Sequence, residues 1–260
     1  PATTTPATVV TTWSKVSGPG EVSFGNAATS DTTATFPANG DYLLRLTAGD
    51  GTLETTKDLA VHVGVTPLQM LNEDVAAPRA GSGSLSDGVA TVSGAGGDIY
   101  GSSDRFHFYY AEVSGDFDFS ARLAGKTISA TSAHTALMAR ASLAANSIHA
   151  SVSQEGSGST YLMQRASTGG STTINIGSAI TNTPPTWMRL TRSGNSIRGY
   201  ISEDGVTWTE KGPITPALPA TVLLGFAVSN ASPSATAALN VATFDNISGL
   251  RSGNVGALVA

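Results

Sequence analysis

The stretch DYLLRLTAGDGTLETTKDLAVHV, residues 41–63, decides the fold class. Tyr42, Leu44 and Leu46, and then Leu59, Val61 and Val63, recur at every second position, while Arg45, Asp58 and His62 take the alternate ones. A period of two is that of a strand with one face buried and one face wet. Asp50-Gly51 between the two runs supplies residues that tolerate the positive φ of a tight turn.

Working outward, short runs at Val9 to Val16, Glu21 to Phe24 and Thr33 to Phe36 read as further strands. Gly18-Pro19-Gly20 and Asn39-Gly40 supply the turns between them. Strands this closely spaced predict a small sandwich. Composition extends the reading to the whole chain of 260 residues, of which only 13% are charged. Gly, Ser, Thr, Ala and Val are common where helical proteins use Lys, Glu and Leu. No segment holds apolar residues at helical spacing for three turns, and none runs to about 18 apolar residues. An all-β protein without a membrane span is expected.

Several function classes drop out on composition. There is no cysteine, so disulfides and thiolate metal sites are ruled out. The net charge is -5 and no basic stretch interleaves with aromatics, so the phosphate-neutralising surface of a nucleic-acid binder is missing. Pro1 to Pro6 reads as a Pro/Thr spacer without an apolar leader, which suggests a piece of a longer, secreted or cell-surface chain.

Beyond a short connection containing Pro67 the pattern restarts on a larger scale. Strands are expected at Arg105 to Val113, Phe117 to Leu123, Ala136 to Ala141, His149 to Ser153, Tyr161 to Arg165, Met188 to Arg192, Ser196 to Ser202, Val222 to Val228 and Ala238 to Phe244. Segments rich in Gly and Ser at 156–159 and 169–171, and the stretch 181–186, read as loops. Nine or more strands over this length suit a jelly-roll sandwich. The expected division is a spacer and small domain at 1–66, a large sandwich at 70–250 and a tail at 251–260.

Two resemblances follow from these residues. Trp13-Ser14-Lys15, Ser17-Gly18-Pro19-Gly20, Thr33-Ala34-Thr35-Phe36, Gly40-Asp41-Tyr42 and Ala48-Gly49-Asp50-Gly51 resemble the PKD-like immunoglobulin modules of secreted bacterial proteins. That resemblance implies a spacer or stalk, with Trp13 and Tyr42 in its core. Over residues 73–249, Asp74-Val75, Gly96-Gly97-Asp98-Ile99-Tyr100-Gly101, Asp104-Arg105-Phe106-His107-Phe108, Gly115-Asp116-Phe117, Leu137-Met138-Ala139-Arg140, Trp187-Met188-Arg189-Leu190-Thr191-Arg192, Ser202-Glu203-Asp204-Gly205-Val206-Thr207-Trp208 and Phe244-Asp245-Asn246-Ile247 resemble a concanavalin A-like lectin/glucanase family of secreted bacterial proteins. This second resemblance implies a carbohydrate-facing accessory module beside catalytic or other modules of the same longer chain.

Glycoside hydrolysis needs two carboxylates about 5 to 10 Å apart, and no Glu-x-Asp-x-x-Glu strand occurs. Asp116 and Asp118 are the nearest candidate pair. His62, His107, His134 and His149 show no local ligand spacing, and no Gly-x-Ser-x-Gly elbow marks a nucleophile. Ser202 to Trp208 resembles the Asp-box hairpin of sialidases, in which the Asp holds the turn. Trp187 and Trp208 could stack on sugar, but their setting beside alternating strands favours core or hairpin packing. A structural Ca2+ is expected between Asp74 and Asp245, on the first and last strands of the large domain, with Asp98, Ser102 and Asp104 as the alternative.

The arginines carry the binding hypothesis. Arg122, Arg140, Arg165 and Arg189 fall on different expected strands, and as a ladder on one sheet face they suit a polysaccharide bearing uronates or sulfates. Tyr161, His107 and Tyr109 would offer ring faces or hydrogen bonds to a pyranose. The other reading pairs each arginine with an acid such as Asp118, Glu112 or Glu155. An uncharged face with every arginine salt-bridged would favour a stalk or adhesion role instead. An enzyme with a site assembled from distant residues is the third possibility.

Overall fold

Alternating apolar residues and glycine-bearing turns build an all-β chain, and no helix occurs among the described residues. The computed structural model describes residues 9–38, 40–63, 69–181 and 183–250. The stretch 1–6, Asn39, the connection around Pro67, Asn182, the tail 251–260 and the side chain of His62 lie outside the described residues. The chain divides into two compact units, Pro1–Thr66 and Pro67–Ala260.

In the small unit, β1 (Val10–Ser17), β4 (Gly40–Gly49) and β5 (Glu54–Val63) form one antiparallel sheet, and β2 (Ser23–Phe24) pairs with β3 (Ala34–Thr35). The register puts Tyr42 opposite Val61 and Leu44 opposite Leu59, with Arg45 opposite Asp58. Arg45 grips Asp58 through Nε and Nη2 at 2.7 and 2.9 Å. Tyr42 is buried against Phe36, and Trp13 stacks on Phe24 while its Nε1 donates to the Ser30 carbonyl. Gly18 has φ +142°, and a Cβ there would lie 2.2 Å from the Tyr42 ring. The turn therefore needs glycine, both for its φ and for the ring's space.

Among the described residues the large unit holds fourteen strands in two seven-stranded antiparallel sheets. Sheet I runs β14 (Thr173–Thr181), β13 (Ser159–Arg165), β12 (His149–Glu155), β11 (His134–Arg140), β18 (Thr221–Val228), β9 (Phe106–Ser114), β6 (Leu71–Val75). Sheet II runs β17 (Thr209–Ile214), β16 (Ser196–Ser202), β15 (Thr186–Ser193), β10 (Phe117–Lys126), β19 (Asn240–Ser248), β8 (Val89–Gly94), β7 (Ser82–Ser86). The chain crosses between sheets at β6–β7, β8–β9, β9–β10, β10–β11, β14–β15, β17–β18 and β18–β19, the jelly-roll pattern in which central neighbours in space come from distant parts of the sequence.

Alternation places one set of side chains between the sheets. Phe119, Leu123, Met188, Leu190 and Phe244 of sheet II meet Leu137, Val152, Leu162 and Phe226 of sheet I, with Phe226 4.5 Å from Phe244 and 5.3 Å from Phe119 between ring centroids. Sheet I has a second apolar layer on its other face. There Val75, Phe106, Phe108, Tyr110, Ala136, Met138 and Ala227 are covered by Ile99, with Leu143 and Ala145 packed against them. That cover comes from loops 95–105 and 141–148, so the two sheets present very different outer faces.

Candidate functional site

The loops over sheet I are fastened by a buried cluster of three charges. Asp104, Arg140 and Arg165 are each 0% exposed. Arg165 forks onto Asp104 at 2.6 and 2.7 Å, and Arg140 Nη1 lies 3.5 Å from the same carboxylate. The remaining guanidinium donors reach loop carbonyls: Ser142 and Ala144 from Arg140, and Gly101, Ala145, Ser147 and Gly170 from Arg165. Burial pushes the Asp104 carboxyl up, against the pull of Arg165, and holds Arg140 down at about 10. The cluster ties loops 95–105, 141–148 and 166–172 to the sheet.

This corrects the expected arginine ladder. Arg140 and Arg165 stand on sheet I with no solvent access, whereas Arg122 and Arg189 stand on sheet II. The crossings β10–β11 and β14–β15 send consecutive strands to opposite sheets, a step no strand pattern announces. His107 and Tyr109 are also interior, at 1% and 6% exposed. His107 sits between Asp74 Oδ1 at 2.7 Å and Asn72 Oδ1 at 2.9 Å, fastening β9 to the edge strand β6. Burial raises the Tyr109 phenol. Tyr161 is half-buried on β13, opposite Ser153 on β12.

The expected carboxylate pair for calcium does not meet. Asp74 lies on sheet I bonded to His107 and the Gly81 amide, and Asp245 lies on sheet II held by Arg122. In the alternative loop, Asp104 is used by the arginines, and Asp98 accepts from the Ile99 amide and from His134 at 3.1 Å. Among the described residues no three Asp, Glu or His side chains converge on one point. His134 also bonds Ser153 at 2.8 Å, which completes a Ser-His-Asp row, but Ser153 is 0% exposed and offers a substrate no approach.

Sheet II presents the open face. Met188 and Leu190 point into the core, so Trp187, Arg189 and Thr191 point outward, and on β16 the same alternation sends Arg198 and Tyr200 out. Arg189 stands opposite Tyr200 across the β15–β16 ladder. Its guanidinium lies 5.1 Å from the Tyr200 ring centroid and 5.9 Å from that of Trp208, a cation over two ring faces. Asp118 holds Arg189 at 2.7 and 2.5 Å, Asp245 holds Arg122 at 2.7 and 2.5 Å, and Glu210 pairs with Arg198. These pairs raise the two arginines Arg122 and Arg189 and lower Asp245, each mainly through the hydrogen bond between partners.

At one end of this strip a depression of about 330 Å³ is lined by Ile201, Ser202, Glu203, Asp204, Thr207 and Thr209. The hairpin that forms it is held as the Asp-box resemblance implies. Asp204 Oδ1 accepts from the Val206 and Thr207 amides at 2.8 and 2.7 Å and from the Ser202 hydroxyl, which keeps its carboxyl well below the usual range. The ring beneath the turn is Trp187, on the neighbouring strand, because a Cβ on Gly205 would lie 2.7 Å from its indole. Trp208 is left half-buried beside Arg189. Asp116, the other candidate acid, caps the Gly194 amide at 2.7 Å. Tyr200 is the residue sequence reasoning passed over, although the alternation Ile197, Gly199, Ile201 already placed it on the wet face, whereas the sequence offers Trp208 as a sugar-stacking ring but favours hairpin packing.

Comparison with known proteins adds the fold. No sequence family matches the chain. Among solved structures, a functionally unknown protein from Saccharomyces cerevisiae is 18% identical with a TM-score of 0.51, over 72% of this chain and 98% of that one. A carbohydrate binding module, CBM66 from Bacillus subtilis, is 15% identical with a TM-score of 0.44, over 70% of this chain and 94% of that one. A xylan beta-1,4-xylosidase from Bacillus halodurans is 11% identical with a TM-score of 0.40, over 79% of this chain and 51% of that one. The first likeness is one of β-sandwich fold.

Proposed function

We propose that the large unit is a carbohydrate-binding accessory module that holds a polysaccharide on the outer face of sheet II. One observation carries the reading: Arg189 lies over the rings of Tyr200 and Trp208 on a partly exposed sheet face, beside a depression of about 330 Å³. Aromatic faces stack on the apolar face of a pyranose, and fixed guanidinium and carboxylate groups orient its hydroxyls. A small-ligand site of a few hundred Å³ lies in the ordinary range. The two acids the sequence offered as a catalytic pair are engaged structurally, Asp118 with Arg189 and Asp116 with Gly194, so tethering a catalytic module elsewhere in a longer, extracellular chain suits the site better than turnover. The small unit then serves as the PKD-like spacer.

Affinity electrophoresis through a panel of neutral and acidic polysaccharides tests this. Retardation on at least one polymer is expected, and Trp208→Ala and Tyr200→Ala are expected to weaken it about tenfold or more, or 1.4 kcal/mol. Retardation that both variants keep would place binding elsewhere. A second reading, a stalk or adhesion role, is favoured by a specific finding: Arg122, Arg140, Arg165 and Arg189 are all ion-paired. It gains if no polymer in the panel retards the protein.

A further inference from the structure

Resting on the glycan reading above, we infer that the outer face of sheet II selects uncharged sugar chains and rejects uronates and sulfated sugars. The argument starts from how its cations are held. Arg122 and Arg189 each give Nε and Nη2 to the two oxygens of one carboxylate, Asp245 and Asp118 respectively, and Arg198 is paired with Glu210. Three arginines thus face three acids on neighbouring strands, and the face carries no excess positive charge. Fork-to-fork pairs use the donor edge by which arginine recognises a carboxylate or sulfate. An incoming anion must either break such a pair or sit beside an acid that is still there, and like charges at contact distance repel.

A hydroxyl meets no such conflict, because it both donates and accepts. Nη1 of Arg122 and of Arg189 has no hydrogen-bond partner among the described residues, and each paired carboxylate oxygen keeps a further lone pair. One sugar hydroxyl can accept from Nη1 while another donates to a free lone pair of the carboxylate, leaving the pair intact. Asp118 is 56% exposed and Arg189 32%, so both partners can be reached. The rings of Tyr200 and Trp208, which flank the same guanidinium, supply a stacking surface indifferent to charge.

The test uses matched polymers that differ in charge: hydroxyethyl cellulose against carboxymethyl cellulose, dextran against dextran sulfate, and arabinogalactan against polygalacturonate. The full chain is expected to bind a neutral member about tenfold or more tightly than its charged partner. Raising salt from roughly 50 to roughly 500 mM should change that affinity by less than about twofold, since no net ion pairing is formed. The double variant Asp118→Asn/Asp245→Asn, which frees both guanidiniums, should gain about tenfold for the charged member. Tighter, salt-sensitive binding of the wild-type chain to a charged polymer through Trp208 would overturn the inference and leave the glycan reading standing. Binding to neither member of any pair would overturn both.

Discussion

Replacing Asp104 by alanine removes the single carboxylate that Arg140 and Arg165 share. Both guanidiniums are 0% exposed, so the variant leaves two buried cations without a counter-charge. Removing one partner of a buried pair costs about 3–5 kcal/mol, and for a domain of this size each kcal/mol lowers the melting temperature by about 2–4 °C. A fall on the order of 10 °C or more is expected by calorimetry, with the urea midpoint shifting to match. Exchanging all three residues for apolar ones should not restore stability. The carbonyls of Ser142, Ser147 and Gly170 would then lose their arginine donors, those of Gly101, Ala144 and Ala145 would keep only a backbone amide, and each unpaired buried acceptor costs about 1–3 kcal/mol. An alanine variant within about 1 kcal/mol of wild type would refute the idea that this cluster fastens the loops.

Other consequences follow from single side chains. Lys126 is held down at about 8 by burial, with Nζ donating to the Glu155 carbonyl at 2.6 Å. The unfolded chain then binds more protons than the folded one between about pH 8 and the ordinary lysine value of about 10.4, so stability rises with pH across that window. Denaturant melts at about pH 7.5 and about pH 9.5 should show the rise in wild type and lose it in Lys126→Met. Gly205→Ala should cost about 1–3 kcal/mol, because φ is +74° and the new methyl meets the Trp187 ring. An unchanged melting temperature would mean that the turn does not rest on that indole.

How much of this was legible in the sequence depended on what each residue had to announce. The hairpin at 41–63 was fully readable, because alternation and a turn dipeptide agree within one local segment. The pair β7–β8 was missed although its signal was present: Asp87-Gly88, at φ 51° and 77°, is a two-residue turn with both φ positive, and Ala90 and Val92 alternate into the core. β17 was hidden by Pro213, which an edge strand tolerates. β6 was hidden by the polar run Asn72, Glu73, Asp74, whose place in the sheet comes from pairing with β9. The arginine roles were illegible for a deeper reason. Whether an arginine on a strand meets solvent or a buried aspartate is set by which sheet its strand joins and which loop folds over it. Asp104 is 36 and 61 residues from its two partners.

The most direct test of the binding face is a titration of 15N-labelled protein with a polymer that retards it, read at the backbone and side-chain N–H signals. Trp208 Nε1–H and Arg189 Nε–H are expected to shift, while Trp13 Nε1–H and the buried Arg140 and Arg165 stay in place. Shifts gathered instead around Tyr161, Tyr100 and Asp98 on the sheet I side, with Trp208 unmoved, would contradict the assignment of sheet II as the ligand face.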